Sequence, residues 1–382
     1  MSVLLFLLSF VLFDAEAVKI LLDNEAAWQR LGDVTVPPEQ DIEILADLTE
    51  KLARWVPQSV WKKNVDVTTP PQRGDVVRLE GIMIFAKQRD KVYHCTMALN
   101  GGALNGGTVA DVFVASLPQA WKLGVPIQER AAVFGVYVKS YKDTPVFAAP
   151  AIEWYPNTWL GNLGFDVALF DHVPVSRVTE AEQNDEETNY RTFKFTESDR
   201  EPFYGLLRTV SATPAGWLEE ETKKYPFNVT DLFNRPHETR GKPVLLSGTA
   251  KRIVSIPVTD SEVHRLFGVD QYYQIFFYTE QSRGNPIVVC VRSLPEGMPV
   301  GDAVDFAEQI TVAAVPYKLW IYETSAGQHY APVLVGRSPI WHPQAAAKRL
   351  PPESVTTFSF AAFFTLILIW FACRFWSRRS RI

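Results

Sequence analysis

Two short motifs in this sequence have spacings that occur in enzyme active sites, but neither is complete. The glycine-rich run 101–107 lacks the Lys-Ser or Lys-Thr pair that completes a phosphate-binding loop. Ser59 and Lys62 have the Ser-x-x-Lys spacing of some acyl-transfer enzymes, but the companion Ser-Asp-Asn and Lys-Thr-Gly motifs are missing from the chain. The first run is typical of a loop between strands, and the second match predicts no nucleophile.

Metal ligands and paired carboxylates are equally incomplete. His94 and Cys95 are adjacent on a predicted strand, so their side chains point to opposite faces and cannot share one metal ion. The carboxylates of 185–187 lie in a polar segment, where no desolvation would raise a pKa for acid catalysis. The sequence therefore predicts no catalytic residue, no metal site and no cofactor.

One aromatic strand is the best candidate for a contact surface. Over residues 271–279, side-chain alternation places Tyr272, Phe276 and Tyr278 on one face and Ile275 and Phe277 on the other. One face must fill the interior of a sheet. The other face is either covered by helices near Phe203 or open to a partner, and in the second case Tyr272, Phe276 and Tyr278 are the candidate partner-binding residues.

The elements that would position this strand recur along the chain. Matching segments appear in the same order in two copies, with loops that are longer in the second copy, which indicates a tandem duplication. The matched pairs include Gly74 with Gly241, Ser116-Leu117-Pro118 with Ser293-Leu294-Pro295, Lys139-Ser140-Tyr141 with Lys318-Leu319-Trp320, and Trp154 with Trp341.

Each copy contains about five predicted strands in antiparallel order, and a glycine interrupts the first of them. Glycine within a strand permits the sharp bend that a barrel corner needs. The predicted fold class is therefore α+β: two tandem five-stranded OB-like β-barrels with intervening helices and a C-terminal transmembrane helix. A sandwich of five or six strands is the alternative.

Both ends of the chain resemble targeting segments. Residues 3–13 are apolar but too few to span a bilayer, and Ala15-Glu16-Ala17 fits a signal-peptidase site. Residues 354–373 carry no charge, are long enough to cross the hydrocarbon core as a helix, and are followed by an arginine-rich tail. These signals predict a cleaved leader, an extracytoplasmic body and a cytoplasmic C-terminus. An uncleaved N-terminal anchor or a buried strand is the alternative for the leader.

These patterns divide the chain into eight segments. The predicted boundaries are 1–17 for the signal peptide, 18–72 for an N-terminal helical segment, 73–156 for the first OB-like domain, 157–240 for helices and loops between the domains, 241–343 for the second OB-like domain, 344–353 for a juxtamembrane linker, 354–373 for the transmembrane helix and 374–382 for the basic tail.

The charge disfavours one class of function, and the cysteine positions disfavour a disulfide. The formal net charge is −5, so non-specific nucleic-acid binding, which depends on neutralising phosphates, is disfavoured. Cys95 and Cys290 could pair in an oxidising compartment, but they fall in different predicted domains, which favours two buried thiols.

Three segments of the chain are suggestive: Asp199-Arg200-Glu201-Pro202-Phe203-Tyr204, Leu294-Pro295-Glu296-Gly297-Met298-Pro299 and Tyr317-Lys318-Leu319-Trp320. With them, the layout resembles a group of uncharacterised single-pass membrane proteins of planctomycete-type bacteria. The resemblance implies a tandem-barrel membrane protein but no activity.

The predicted function is that of a membrane-anchored, extracytoplasmic interaction or envelope-structural protein. Its expected partners are the lipid bilayer, through 354–373, and an envelope protein or ligand. Two alternatives remain at this point: an enzyme whose active site is assembled from distant residues, and an OB-type binder of oligonucleotides or oligosaccharides.

The predicted topology can be tested with a tag placed after Ile382. Protease added to intact cells should digest the body and leave a small tagged fragment, because only the basic tail would lie inside. Immunoblotting measures the fragment, and a tagged cytoplasmic protein controls for lysis. A fully protected body would contradict the prediction.

Overall fold

The computed structural model describes residues 15–56, 71–99, 108–174, 176–177, 195–324 and 327–343. Within these ranges the chain is a mixed α+β protein with two β-sheets and helices, which confirms the predicted class. No helix in this part of the chain is long and apolar enough to cross a membrane. The predicted transmembrane segment 354–373 lies outside the described residues, and so does the predicted leader up to residue 14.

Most of the helices precede one of the two sheets, and α9 lies between two strands of the second. In chain order they are α1 (Ala15–Leu22), α2 (Glu25–Leu31), α3 (Ile42–Trp55), α4 (Trp159–Asn162), α5 (Arg200–Ser211), α6 (Trp217–Thr222), α7 (Val229–Asn234), α8 (Pro236–Thr239) and α9 (Ser261–Phe267), with short 3-10 helices at Pro38–Gln40, Val167–His172, Glu197–Asp199 and Glu280–Ser282. Helix α1 runs across the predicted signal-peptidase site, and Ala17 and Val18 are buried against α3 and the first sheet.

The strands form a six-stranded and a seven-stranded sheet. The first sheet contains β1 (Val76–Arg89), β2 (Val92–Leu99), β3 (Val109–Val114), β4 (Pro126–Tyr141), β5 (Thr144–Ala149) and β6 (Glu153–Trp154). The second contains β7 (Ser176–Arg177), β8 (Val244–Pro257), β9 (Gln271–Tyr278), β10 (Ile287–Val291), β11 (Glu308–Thr324), β12 (Gly327–Gly336) and β13 (Ile340–His342).

The two sheets share one pattern of pairing. In the first, β1 pairs with both β2 and β4, β2 pairs with β3, β3 pairs with β5, and β5 pairs with β4. In the second, β8, β9, β10, β12 and β11 repeat these pairings in the same order. The expectation of purely antiparallel order was wrong, because β3–β5 in the first sheet and β10–β12 in the second are parallel, and the short β7 also pairs with β11 in parallel.

The glycine in the first strand of each sheet permits a close approach of two backbones. A Cβ atom on Gly81 would lie 1.9 Å from the carbonyl oxygen of Ala98, and one on Gly248 would lie 2.3 Å from that of Tyr278. The pairing register shifts shortly afterwards in both strands, between Met83 and Phe85 in β1 and at the equivalent place in β8. Such bulges increase the local bend of a strand.

Each sheet has an apolar interior and a second apolar layer between its outer face and helices. The interior of the first sheet includes Leu79, Met97 and Cys95, and burial raises the pKa of Cys95 to about 12. Cys290 lies in the outer layer of the second sheet, and both thiols are buried and unpaired, as expected. Helix α3 covers β2, β3 and β5, and α5 covers β10 and β12.

A buried ion pair ties the first helical layer to its sheet. Lys139 Nζ on β4 lies 2.9 Å from Asp41 Oδ2, at the start of α3, and both side chains are almost fully excluded from solvent. The same ammonium donates hydrogen bonds to the carbonyl oxygens of Asp33, at 3.1 Å, and Val36, at 2.9 Å. All three donors of the lysine are therefore directed at the segment that leads into α3.

The second sheet repeats this arrangement. Lys318 Nζ on β11 lies 2.7 and 2.6 Å from the two carboxylate oxygens of Asp199, which precedes α5, and neither side chain is exposed. The Tyr317 hydroxyl donates to Asp199 at 2.8 Å, and the Thr196 backbone N–H donates at 2.9 Å. Burial lowers the pKa of Lys318, and the Asp199 carboxylate opposes that shift.

The two lysines occupy equivalent positions in the predicted repeat, directly after a register shift in the fourth long strand of each sheet. Their aspartates occupy equivalent positions too, because each lies at the end of a 3-10 turn and at the start of the covering helix. The correspondence between the halves therefore includes a helix as well as the strands.

Removing Lys318 should destabilise the chain strongly. Lys318→Met leaves the Asp199 carboxylate buried without its cation, which typically reduces the free energy of unfolding by about 3–5 kcal/mol. Lys223→Met is the matched control, because its ion pair with Glu220 is exposed and such pairs contribute at most about 1 kcal/mol. Denaturant unfolding measures both variants. Equal stability of the two would show that the buried pair does not hold the helical layer.

Candidate functional site

The structure buries two of the three candidate partner-binding residues. Only 2% of Tyr272 and 4% of Phe276 is exposed, while Tyr278 is half-buried. The predicted alternation is confirmed, since Ile275 and Phe277 point into the sheet interior and Tyr272 and Phe276 into the layer beneath α5. The Tyr272 and Phe276 rings are core, so they form no open surface.

Helix α5 supplies the cover. The Phe203 ring centroid lies 5.4 Å from that of Tyr272 and 5.7 Å from that of Tyr317. The long segment before β9 contains α9, which packs against α5. At Tyr272 and Phe276 the aromatic face of β9 is therefore covered by the chain itself, whereas Tyr278 stays half-buried.

A groove runs along the exposed side of α5. It consists of two adjoining clefts of about 330 and 450 Å³, which share Leu169, Glu201 and Phe267. The 3-10 helix Val167–His172 and helix α9 form the opposite walls. We call this concavity the α5 groove; Asp166 and Glu153 mark one end, and Glu262 and Arg200 mark the other.

Asp166 joins the first sheet to the wall of the α5 groove. Its Oδ1 accepts hydrogen bonds from the backbone N–H of Trp154, at 2.8 Å, and of Ala168, at 3.0 Å. The second bond caps the 3-10 helix, which is a common use of aspartate. Two hydrogen bonds thus hold the Asp166 side chain in the segment that follows β6, where this segment lies beside α5.

Electrostatics at this end of the groove favour a protonated carboxyl. Burial raises the pKa of Asp166 well above its usual range, and the negative charge of Glu153 raises it further. The two backbone N–H groups act in the opposite direction, and Glu201 adds a smaller upward effect. Tyr155 donates a hydrogen bond to Glu153 Oε2 at 2.8 Å, and burial followed by the Glu153 charge raises its pKa.

One arginine is paired with two carboxylates at the other end. Arg200 contacts Asp260 at 2.7 Å and Glu262 at 2.9 Å, so its guanidinium is held by the start of α9. Arg208 lines the cleft that contains Asp166 and donates to the Leu266 carbonyl oxygen at 3.3 Å. Both carboxylates lie at the start of α9, where the helix dipole favours negative charge.

A third cleft, of about 260 Å³, continues from the Asp166 end toward the first sheet. Its polar side chains are engaged in contacts within the chain. Arg78 contacts Glu80 and lies 3.4 Å from Glu153, and Arg130 donates to the Gly161 carbonyl oxygen at 3.1 Å and to Asn162 at 2.9 Å. These contacts therefore join the first sheet to the segment that follows β6.

The α5 groove contains carboxylates and aromatic rings but no built ligand site for a metal. Across the described ranges no three His, Cys, Asp or Glu side chains are placed to hold a metal ion. The carboxylates of 185–187 lie outside those ranges. Sequence reasoning did not select Glu153, Asp166 or Glu201; the only local signal was an aspartate two residues after a glycine, typical of a helix cap.

Comparison with known proteins does not assign this chain to a family. No protein-family model matches the chain, and no curated protein matches it. Among solved structures it is similar to one described as an aspartyl-tRNA synthetase from Leishmania major Friedlin, with 8% identity, 55% of this chain and 45% of that chain covered and a TM-score of 0.17. An aspartyl tRNA synthetase from Entamoeba histolytica shows 9% identity, coverage of 58% and 52% and a TM-score of 0.16.

Fission yeast Pot1 with ssDNA shows 12% identity, coverage of 74% of this chain and 84% of that chain and a TM-score of 0.16. The chain thus spans about half the length of the two synthetases. TM-scores of this size carry no argument about fold or function. The resemblance to planctomycete-type membrane proteins stays a prediction.

Replacing Asp166 by asparagine should stabilise the chain at neutral pH. The raised folded-state pKa means that the folded state binds the proton more tightly than the unfolded state, whose pKa is about 3.9. Native stability therefore falls as pH rises from about 4 through the folded-state pKa. Asparagine keeps an acceptor for both N–H groups but cannot ionise.

The Asp166→Asn variant should consequently melt at a higher temperature than the native chain at pH 8, and the difference should vanish near pH 4 and below. Asp302→Asn, at an exposed position, is the control. Thermal unfolding of the detergent-solubilised chain across this pH range measures the difference. A variant less stable than the native chain at pH 8 would refute the assignment of a proton to Asp166.

Proposed function

We propose that this chain is a membrane-anchored interaction protein whose extracytoplasmic body is a tandem pair of OB-like barrels and docks a partner in the α5 groove. The observation that supports docking in the α5 groove is that the chain's own helices cover the outer faces of both sheets and leave this groove open. Helix α3 lies on β2 and β3, and α5 lies on β10 and, through Tyr272, on β9. The α5 groove is the concavity left between the two halves.

The pairing pattern supports the barrel assignment. In each sheet the first strand pairs with the second and the fourth, so the ladder of five strands returns to its starting strand. The order one-two-three-five-four, with a parallel pair between three and five, is that of the small Greek-key barrel called the OB-fold. The equivalent glycines, bulges and buried lysines support the tandem duplication.

An oligonucleotide-binding function has less support. OB barrels bind oligonucleotides and oligosaccharides on the face of strands two and three, with the adjacent loops. In this chain α3 and α5 occupy that face in both halves. The net charge of −5 also disfavours a phosphate backbone. The predicted bilayer contact through 354–373 and the extracytoplasmic location remain part of the proposal.

Acid–base catalysis is the second candidate, and one observation favours it. A carboxyl with a raised pKa beside a carboxylate, inside a cleft, is a common arrangement at active sites. In that case Asp166 would be the acid and Glu153 the base. Stable capture of an intact partner would favour docking, whereas a partner released in altered form, dependent on Asp166, would favour catalysis.

Filling the α5 groove should abolish partner capture. Ala212 lines the groove beyond the end of α5 and is exposed, so Ala212→Trp introduces bulk without changing charge or core packing. Chemical cross-linking of membranes, followed by affinity purification of the tagged chain and mass spectrometry, measures capture. We expect a loss of about tenfold or more, as for a blocked interface centre.

Ala303→Trp is the matched control, since Ala303 is exposed on the loop before β11, away from the groove. It should capture the same partner as the native chain. Undiminished capture by Ala212→Trp, with both variants folded by circular dichroism, would exclude the α5 groove as the docking site.

A further inference from the structure

One end of the first sheet carries free cations beside exposed aliphatic side chains. This surface consists of residues 87–91, at the turn between β1 and β2, and residues 122–125, in the segment before β4, and we call it the basic tip. We infer that the basic tip binds the surface of a bilayer that contains anionic phospholipid, which gives the body a membrane contact besides its predicted anchor. The inference rests on the proposed membrane anchorage and on no property of the α5 groove.

Backbone contacts hold the two parts of the basic tip together. Strands β1 and β2 pair as far as Arg89 and Val92, so only two residues form the turn between them. The Gly124 N–H donates to the Ala86 carbonyl oxygen at 3.0 Å, which places the second part beside the end of β1. The fold therefore brings the side chains of both parts to the same end of the sheet.

The basic tip has a surplus of positive charge. Four cationic side chains belong to it: Lys87, Arg89, Lys91 and Lys122. None of them has an ion pair in the part of the chain that the structure describes, and all but the half-buried Lys87 are exposed. Asp90 is the one carboxylate within the basic tip, so four cations and one carboxylate leave a formal charge of +3, in a chain whose net charge is −5. The nearby Asp171 carboxylate already accepts a hydrogen bond from the Gln119 N–H at 2.8 Å.

Two exposed aliphatic side chains lie among these cations. Leu123 is 42% exposed and Val125 is 44% exposed, and neither is covered by another part of the chain. Trp121, just before them, packs against the interior of the first sheet, so this segment is attached on one side and leaves the aliphatic pair at the surface. Binding to a membrane interface strengthens with the apolar area that leaves water and with attraction to anionic lipid.

The second half lacks this combination at the equivalent place. Gly301 pairs with Ile253 there, and this bridge corresponds to the contact of Gly124 in the first half. Gly301 is followed by Asp302, and β8 contains no Lys or Arg after Ile253. Helix α9 replaces the tight turn. The shared fold therefore does not require cations at this end, and the basic tip is a property of the first half.

Charge and side-chain type together favour phospholipid over another polyanion. Ammonium and guanidinium groups bind phosphate, and each cation close to an anionic bilayer adds to the attraction. Single-stranded nucleic acids are bound largely by bases that stack on aromatic rings. Residues 87–91 and 122–125 contain no aromatic residue, whereas their two aliphatic side chains can enter the interfacial region of a bilayer. The predicted anchor 354–373 would keep the body close to such a surface.

The test uses the full chain in phosphatidylcholine nanodiscs and vesicles of two compositions. One set contains phosphatidylcholine alone, and the other contains phosphatidylglycerol as well. Flotation at increasing vesicle concentration measures the lipid concentration that gives half-maximal binding. We expect this concentration to be at least about tenfold lower for the anionic vesicles, because several cations contribute together. Equal binding to both sets would overturn the inference.

Two triple variants separate the basic tip from diffuse attraction. The first removes three exposed cations of the tip: Arg89→Gln, Lys91→Gln and Lys122→Gln. The second removes three exposed cations of the second half: Lys242→Gln, Lys251→Gln and Arg283→Gln. The first should raise the half-maximal concentration of anionic lipid by about tenfold or more. The second should change it less than about twofold, since charges farther than about 10 Å from the contact are screened. Equal losses, with both variants folded by circular dichroism, would refute the basic tip as the contact.

The aliphatic pair supplies a readout that attraction of charge alone would not change. Leu123→Ser with Val125→Ser should raise the half-maximal concentration of anionic lipid by about threefold or more, because less apolar area leaves water. Val300→Ser with Val304→Ser is the matched control, since these valines of the second half are also exposed, and it should bind like the native chain. Unchanged binding by the first variant would show that the tip does not enter the interface and would overturn the assignment to a bilayer.

A nucleic acid is the competing polyanion. A fluorescein-labelled oligothymidine that binds more tightly than anionic vesicles, and loses affinity in the triple variant of the tip, would overturn the assignment to phospholipid. The proposed anchorage fails on a different result, which is release of the chain from membranes by alkaline carbonate. If the chain stays in the membrane but both sets of vesicles bind equally, only the inference about the basic tip fails.

Discussion

A buried lysine–aspartate pair, made twice, is the interaction on which the arrangement of helices and sheets depends. Burying two charges is unfavourable unless their remaining donors and acceptors are also bonded. Lys139 meets this condition with three acceptors, and Asp199 meets it with Lys318, Tyr317 and Thr196. Such a pair tolerates few alternative positions, so it fixes where each helix starts above its sheet.

The bulges before the two lysines explain how a strand can supply such a group. A strand places successive side chains on opposite faces, and an apolar outer face would normally exclude an ammonium group. The register shift in β4 and β11 bends the strand locally at Lys139 and Lys318. The ion pair, the bulge and the helix start are therefore one unit, present in each half.

Fixing the helices also determines which surface is left to a partner. Once α3 and α5 occupy the outer faces of their sheets, the aromatic residues of β9 become core, as Tyr272 shows. The segment 155–172, which follows β6, contacts both halves, because Asp166 is hydrogen-bonded to Trp154 and Trp159 is hydrogen-bonded to Gly241. The α5 groove follows from these contacts, with carboxylates left along a partly apolar wall.

The sequence by itself predicted the strands, the tandem repeat and the alternation within β9. Strand periodicity and turn residues are local, and ordered matches such as Lys139-Ser140-Tyr141 with Lys318-Leu319-Trp320 require no knowledge of contacts. It also predicted that Cys95 and Cys290 are buried and unpaired, because their separation in the chain placed them in different sheets.

Only the tertiary structure decided the candidate site. Asp41 and Lys139 are 98 positions apart, and Asp199 and Lys318 are 119 apart, so no local pattern reveals their pairing. Whether Tyr272 faces solvent depends on the position of α5, which the ion pair sets. Glu153, Asp166 and Glu201 come from a strand, a connector and a helix, and their shared cleft exists only after the halves have packed. Burial and mutual charge then change the pKa of Asp166, and both depend on distances in space rather than along the chain.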